Sequence, residues 1–180
     1  MRILGISGTI TGSKTLIVIN KVLEEMKKRT PEVEVQLLDL KQYNVQFCDG
    51  RPPGEYTGDT AKVIDMISSA DGYIIGTPIF QGSFSGALKN LIDLVPPSQF
   101  NNKVMGFVAT GGNNLHYLVI ENQLKPIAGY LNAYVTPSFI FAQNKQFDRQ
   151  NQIIDPELLE NIEKFSQDFT YMFTQLSITR

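Results

Sequence analysis

The chain contains one cysteine, Cys48, and one histidine, His116. No disulfide can close within it, and neither a cysteine-rich nor a histidine-clustered metal site can be assembled. No apolar stretch approaches the roughly 20 residues that cross a bilayer. The N-terminus, MRILGISG, lacks the long apolar core of a signal peptide and runs straight into a strand pattern. The expectation is a cytoplasmic protein with no membrane partner. A strong charge of either sign is also missing, since 16 basic and 18 acidic residues leave a net of −2. Nucleic acid is a poor partner for such a surface, because phosphate neutralisation needs a basic face. There is no repeat of solenoid period and no low-complexity segment.

What remains is an ordinary globular composition, 42% hydrophobic and 19% charged over 180 residues. One domain spanning 1–180, large enough to bury a core, is expected. Strand and helix signals alternate along it. Arg2–Ser7 reads as a buried strand. Lys14–Arg29 has helical spacing at Leu16, Ile17, Ile19, Val22, Leu23 and Met26, with a basic end suited to a helix C-terminus. Val33–Leu40 reads as strand, Lys41–Gly58 as a long loop, and Thr60–Ser69 as a helix capped by Asp59. Gly72–Thr77 is a third strand, followed by a helix at Gly86–Leu94 that Pro96-Pro97 stops. Lys103–Thr110 is a fourth strand. A helix is expected over Asn114–Leu131, kinked or divided at Pro126. A fifth strand, Tyr134–Ala142, contains Pro137, which signals an edge or an irregularity. Asp155-Pro156 opens a last helix to about Phe173.

Five βα units with nearly continuous apolar strands mean a parallel sheet covered by helices on both faces. Ligands of such sheets bind beyond the C-terminal strand ends, so the loops after strands one, three and four carry the interest. The first, Ser7–Thr15 (SGTITGSKT), comes within one residue of a phosphate-binding P-loop. Ser13 stands where the second glycine belongs, and no apolar strand ends in a magnesium-binding aspartate, the best candidate, GYIIG, ending in Thr77-Pro78. Three readings stay open: a nucleotide hydrolase, a polar turn capping the first helix, or a site for one phosphate monoester. In the last, Ser13, Lys14, Thr15 and the helix N-terminal N–H groups would hold the phosphate. No G-x-G-x-x-G is present, which disfavours a dinucleotide-binding half.

The second loop, Thr77–Gly86 (TPIFQGSFSG), leaves its strand at Pro78 and sets Ile79, Phe80 and Gln81 at the strand's C-terminal edge. Backbone groups and a flat side chain there suit a planar, polar-edged ligand, and the glycines permit close approach. An ordinary turn with core aromatics is the competing reading. The third loop, Thr110–Asn114 (TGGNN), adds small residues and bare backbone on the same face.

The run from Pro78 to Asp93, PIFQGSFSGALKNLID, resembles the NAD(P)H-dependent FMN reductases. The resemblance continues through Lys103-Val104, Ala109-Thr110-Gly111-Gly112, His116 and Leu124-Lys125-Pro126, and spans most of residues 1–142. It is similar to the flavin reductases that supply two-component monooxygenases and to FMN-dependent azoreductases and quinone reductases. It implies a flavodoxin-like α/β fold, a five-stranded parallel sheet of order 2-1-3-4-5 with helices on both faces. It implies FMN as cofactor and NADPH or NADH as hydride donor. Ser13, Lys14 and Thr15 fall where the family binds the FMN phosphate, and Ser7 heads the same loop. Pro78, Ile79, Phe80 and Gln81 fall along the flavin ring, Ser85 near the phosphate and ribityl chain, and Thr110, Gly111 and Gly112 at the other ring edge. Two departures stand out. Ile10 occupies a position where many members carry arginine, and Asn122 one where some monooxygenase-partner reductases carry an aromatic residue.

The resemblance further implies a homodimer or homotetramer. An apolar surplus at Tyr117, Leu118, Ile120 and Leu124 would form the subunit interface. Hydride transfer needs no acid–base side chain, so no catalytic residue is nominated. The expected activity passes hydride from NAD(P)H to flavin and on to a flavin, quinone or azo acceptor in ping-pong fashion. The competing readings are a flavodoxin-type electron carrier, which the net charge disfavours, a flavin-binding module without turnover, and the P-loop hydrolase. His116 reads as a polar packing residue and Cys48 as a half-buried thiol without a partner base.

Overall fold

The computed structural model describes residues 1–178. Strands β1 (Arg2–Ser7), β3 (Gly72–Phe80) and β5 (Val104–Gly111) form the middle of one sheet, with β2 (Glu34–Asp39) at its edge. Short strands β6 (Tyr134–Val135) and β7 (Ile140–Gln143) share the outer side of β5, and β4 (Ser83–Phe84) turns back on β3. The path across the sheet is β2-β1-β3-β5-β6, all in parallel. The flavodoxin-like order is therefore the one expected.

The number of strands differs, with seven in place of five. The expected fifth strand splits, pairing Val104 with Tyr134 below and Val108 with Ile140 above. Pro137 explains the gap, because it has no N–H to offer the ladder. Thr136 still donates its N–H to the Met105 carbonyl at 3.0 Å, and its hydroxyl bends back to Ser138. The third strand runs three residues beyond its expected end and closes a tight hairpin with β4. Gln81 and Gly82 both adopt positive φ there, as the commonest two-residue hairpin turns require.

Side chains alternate across the strands as the pleat demands. Leu4, Tyr73, Ile75, Met105 and Phe107 pack beneath α2 (Gly58–Ser68), α3 (Gly86–Leu94) and α4 (Lys125–Tyr130). Ile3, Ile74, Val104 and Val108 pack beneath α1 (Lys14–Arg29) and α5 (Pro156–Ile178). On α1 the buried stripe is Thr15, Val18, Ile19, Val22, Leu23 and Met26, a helical period. On α5, Phe165, Phe169 and Phe173 are all buried, each stabilising by about 1.5–3 kcal/mol. Glycine makes this packing close: a Cβ on Gly106 would lie 2.5 Å from the Phe165 ring.

Three expected boundaries are corrected. The segment 114–131 is not one helix. A 3₁₀ turn at Asn114–Tyr117 and a wide π turn at Ile120–Leu124 precede α4. Pro126 lacks an N–H, and its ring would collide with the carbonyl four residues back; the wide turn relieves both, with the Lys125 N–H reaching Ile120. In consequence Ile120 and Leu124 are core residues, while Leu115, Tyr117 and Leu118 are exposed. Asp59 is not the cap of α2. It sits in the first turn and accepts the Asn44 N–H at 3.1 Å, tying the long loop to the helix. The last helix continues past Phe173 to Ile178.

Candidate functional site

From β1 the chain passes through α1 to β2 on one side, then through α2 to β3 on the other. The loops leaving β1 and β3 therefore diverge, and a crevice opens between them at the C-terminal ends. A cavity of about 460 Å³ lies there, within the range of roughly 300–1,000 Å³ usual for small-molecule sites.

One end is built by the loop after β1 and the first turn of α1, through Thr11, Gly12, Ser13, Lys14 and Thr15. Gly12 has φ +72°, a conformation glycine adopts without strain. The Thr9 hydroxyl bends the loop by bonding both the N–H and the carbonyl of Thr11, at 3.2 and 2.8 Å. Lys41 fixes it from outside, donating to the Gly12 carbonyl at 2.5 Å. The Ser13 hydroxyl makes no cap bond, and the first turn of α1 holds no acidic residue. The first intrahelical bond is Ile17 N–H to Ser13 carbonyl at 2.9 Å. The N–H groups ahead of it are left at the positive pole of the helix, beside the Lys14 ammonium, an arrangement that attracts an anion.

The other end is lined mostly by apolar residues and glycine. Pro78, Ile79 and Phe80 leave β3, and Thr110, Gly111 and Gly112 leave β5. Phe80 is half exposed. The Thr15 and Thr110 hydroxyls join the two ends beneath the cavity, 2.8 Å apart and buried.

Nine of the nominated residues thus come together: Ser13, Lys14, Thr15, Pro78, Ile79, Phe80, Thr110, Gly111 and Gly112. Ser7, Gln81 and Ser85 are not among the lining residues. Ser7 is fully buried at the end of β1, its hydroxyl without a hydrogen-bond partner. Gln81 forms the hairpin turn. Ser85 caps α3, accepting the Leu88 N–H at 3.0 Å and donating to the Gly8 carbonyl. Its own N–H is held by the Thr77 hydroxyl at 3.0 Å. Ser85 thereby braces the first loop against the second from below.

Four lining residues were not nominated: Thr11 and Gly12 lie inside the first loop already singled out, and the other two are Asn144 and Asn151. Both come from the loop after β7, which has no apolar period to place it. His116 lies under Gly111, where an added Cβ would meet its Nδ1 at 2.5 Å, and does not line the cavity. Cys48 is half-buried elsewhere, its thiol 3.4 Å from the Asp93 carbonyl.

An open parallel sheet of this order, with an anion-attracting helix N-terminus and a ligand-sized crevice at the switch point, defines a flavodoxin-like α/β protein. The family model for NADPH-dependent FMN reductase matches residues 1–148, and the chain belongs to that family. Asn151 lies beyond the match. An NAD(P)H-dependent FAD/FMN reductase of Geobacillus thermodenitrificans is 53% identical over 176 residues, covering 98% of this chain and 95% of that protein. An FMN reductase (NADPH) of Pseudomonas aeruginosa is 26% identical, covering 83% of this chain and 80% of its own. Among solved structures, NADH:FMN oxidoreductase EMOB in its apo form shares the fold with a TM-score of 0.78 at 22% identity. The match covers 95% of this chain and 89% of that one.

Proposed function

We propose that this chain is a single-domain NAD(P)H-dependent FMN reductase whose cavity holds FMN. The phosphate belongs at the N-terminus of α1 and the ring in the slot between Pro78–Phe80 and Thr110–Gly112. The observation that carries this is the polarity of one cavity: cationic and acid-free at one end, mostly apolar at the other. Bound there, FMN would supply the redox chemistry that links NAD(P)H to a flavin, quinone or azo acceptor.

The protein's own contribution is placement. Lys14, the Ser13 and Thr15 hydroxyls and the free helix N–H groups bind the phosphate and so fix the ring's depth. Pro78 and Ile79 wall one side of the slot, and the backbone N–H groups of Gly111 and Gly112 supply donors for a polar ring edge. Phe80, half exposed, flanks the open face. Donor and acceptor share that face, so they bind in turn and the kinetics are ping-pong. Exposed Leu115, Tyr117 and Leu118 support assembly into a homodimer or homotetramer. The one free cysteine suits a cytoplasmic setting. Reduced flavin leaving the site would serve a flavin-dependent monooxygenase.

Anaerobic titration of the purified chain tests the reading. FMN is added, then NADPH or NADH, while the visible flavin band is followed. Bleaching by either nucleotide supports a reductase, and the faster one names the preferred donor. FMN binding without bleaching points to an electron carrier or a flavin-binding module. No FMN binding overturns the site.

A further inference from the structure

Among the described residues Lys14 is the one charged side chain lining the cavity, and its ammonium is not loose. It donates to Asn144 Oδ1 at 2.9 Å and lies 5.5 Å from the centre of the Phe147 ring. Both partners are neutral, so they hold the ammonium without cancelling its charge. Both come from the same turn, which begins at the end of β7.

That turn is built to be stiff. Phe147 is buried in the core under α1 and α5. Gln146 accepts the Gln143 N–H at 2.9 Å and donates to Asp155 at 3.0 Å, and Asp155 in turn caps α5 through the Leu158 N–H. Gln143 reaches across to Asn114 at 2.6 Å. Asp148 organises the far side by accepting the N–H groups of Gln150 and Gln152, at 2.9 and 2.8 Å. This brings Asn151 to the cavity wall. Helices α1 and α5 and the turn at Asn114 thus anchor the turn that carries Asn144.

A flexible lysine loses rotamer freedom when it is fixed on an anion, and that loss subtracts from affinity. A neutral amide that already holds the ammonium in place removes much of it. We propose that Asn144 is a positioning residue that holds Lys14 ready for the flavin phosphate, and so makes the protein select FMN over riboflavin. The proposal rests on the phosphate end assigned under Proposed function. It concerns a side chain on the last loop, remote in sequence from the loop after β1.

FMN and riboflavin differ only in the phosphate, so binding of the two, read from flavin fluorescence with the purified flavin-free chain, separates the possibilities. In the wild type, FMN should bind more tightly than riboflavin. Asn144→Ala should weaken FMN by about three- to ten-fold and leave riboflavin unchanged. Asn144→Asp, nearly isosteric, should weaken FMN further, because its carboxylate pairs with Lys14 and repels the phosphate. In a Lys14→Ala background, Asn144→Ala should have no further effect. The proposal is overturned if Asn144→Ala binds FMN like the wild type, weakens both flavins equally, or acts undiminished without Lys14. A wild type that binds both flavins equally would instead overturn the phosphate assignment itself.

Discussion

The Thr15 and Thr110 hydroxyls meet 2.8 Å apart in a buried position, bridging the first turn of α1 and the end of β5. β3 lies between β1 and β5 in the sheet, so this contact spans the strand that carries Pro78. Removing one hydroxyl leaves the other buried and unpaired, at a cost of about 1–3 kcal/mol. Thr110→Val should therefore lower stability in urea unfolding by that order. The double variant Thr15→Val with Thr110→Val should recover most of the loss, because no orphaned hydroxyl remains. A double variant as unstable as the sum of the singles would show that the pair is not the source.

Gly106 faces Phe165 so closely that an added methyl has no room. Overpacking of this kind costs about 1–3 kcal/mol. Gly106→Ala should lower the thermal midpoint by several degrees, at about 2–4 °C per kcal/mol for a chain of this size. Adding Phe165→Leu should restore part of it. A midpoint unchanged by Gly106→Ala would mean that α5 is free to shift away from the sheet.

Ser85 separates bracing from ligand contact. Loss of a serine cap costs about 1 kcal/mol. Ser85→Ala should show that loss in urea unfolding while FMN affinity stays at the wild-type value. A large fall in FMN affinity at unchanged stability would instead make Ser85 a direct partner of the flavin.

Asp49 sets an acid limb. The Arg51 guanidinium beside it holds its carboxyl far below the usual carboxylate range, helped by the Arg51 N–H and the Tyr56 hydroxyl. A carboxylate depressed on folding contributes stability that is present above its unfolded value of about 3.9 and is lost as pH falls through the lower folded one. The thermal midpoints of wild type and Asp49→Asn should differ at neutral pH and converge in strong acid. Because the pair is exposed, salt should narrow the neutral-pH gap. A gap that widens in acid would contradict the sign.

Much of this was legible in the residues. RILGIS and GYIIG are nearly continuous apolar runs, and their alternation with helical patterns points to buried parallel strands, so the sheet and its switch point followed. Pro137 announced an irregular fifth strand but not its form, since how the chain spans the break depends on Thr136 finding Met105. Pro126 announced a broken helix, but a wide turn and a kink both relieve the same clash. At the site, the loops after β1, β3 and β5 were readable because strand ends fix where they emerge. Ser85 was assigned to the flavin on position alone, while its hydroxyl is spent on Leu88 and Gly8. Asn144 and Asn151 were invisible because their loop is placed by one buried ring, Phe147, and by long-range bonds to Asn114 and Asp155.

The divided outer strand has a consequence beyond topology. An unbroken run beside β5 would present a long row of free N–H and C=O groups, the template on which another chain's strand adds and fibrils grow. Here that margin comes in pieces of two and four residues, with Pro137 between them. Neither piece is long enough to seed such growth, and the proline has no proton to offer. The residue that spoils the ladder also keeps neighbouring molecules from extending it.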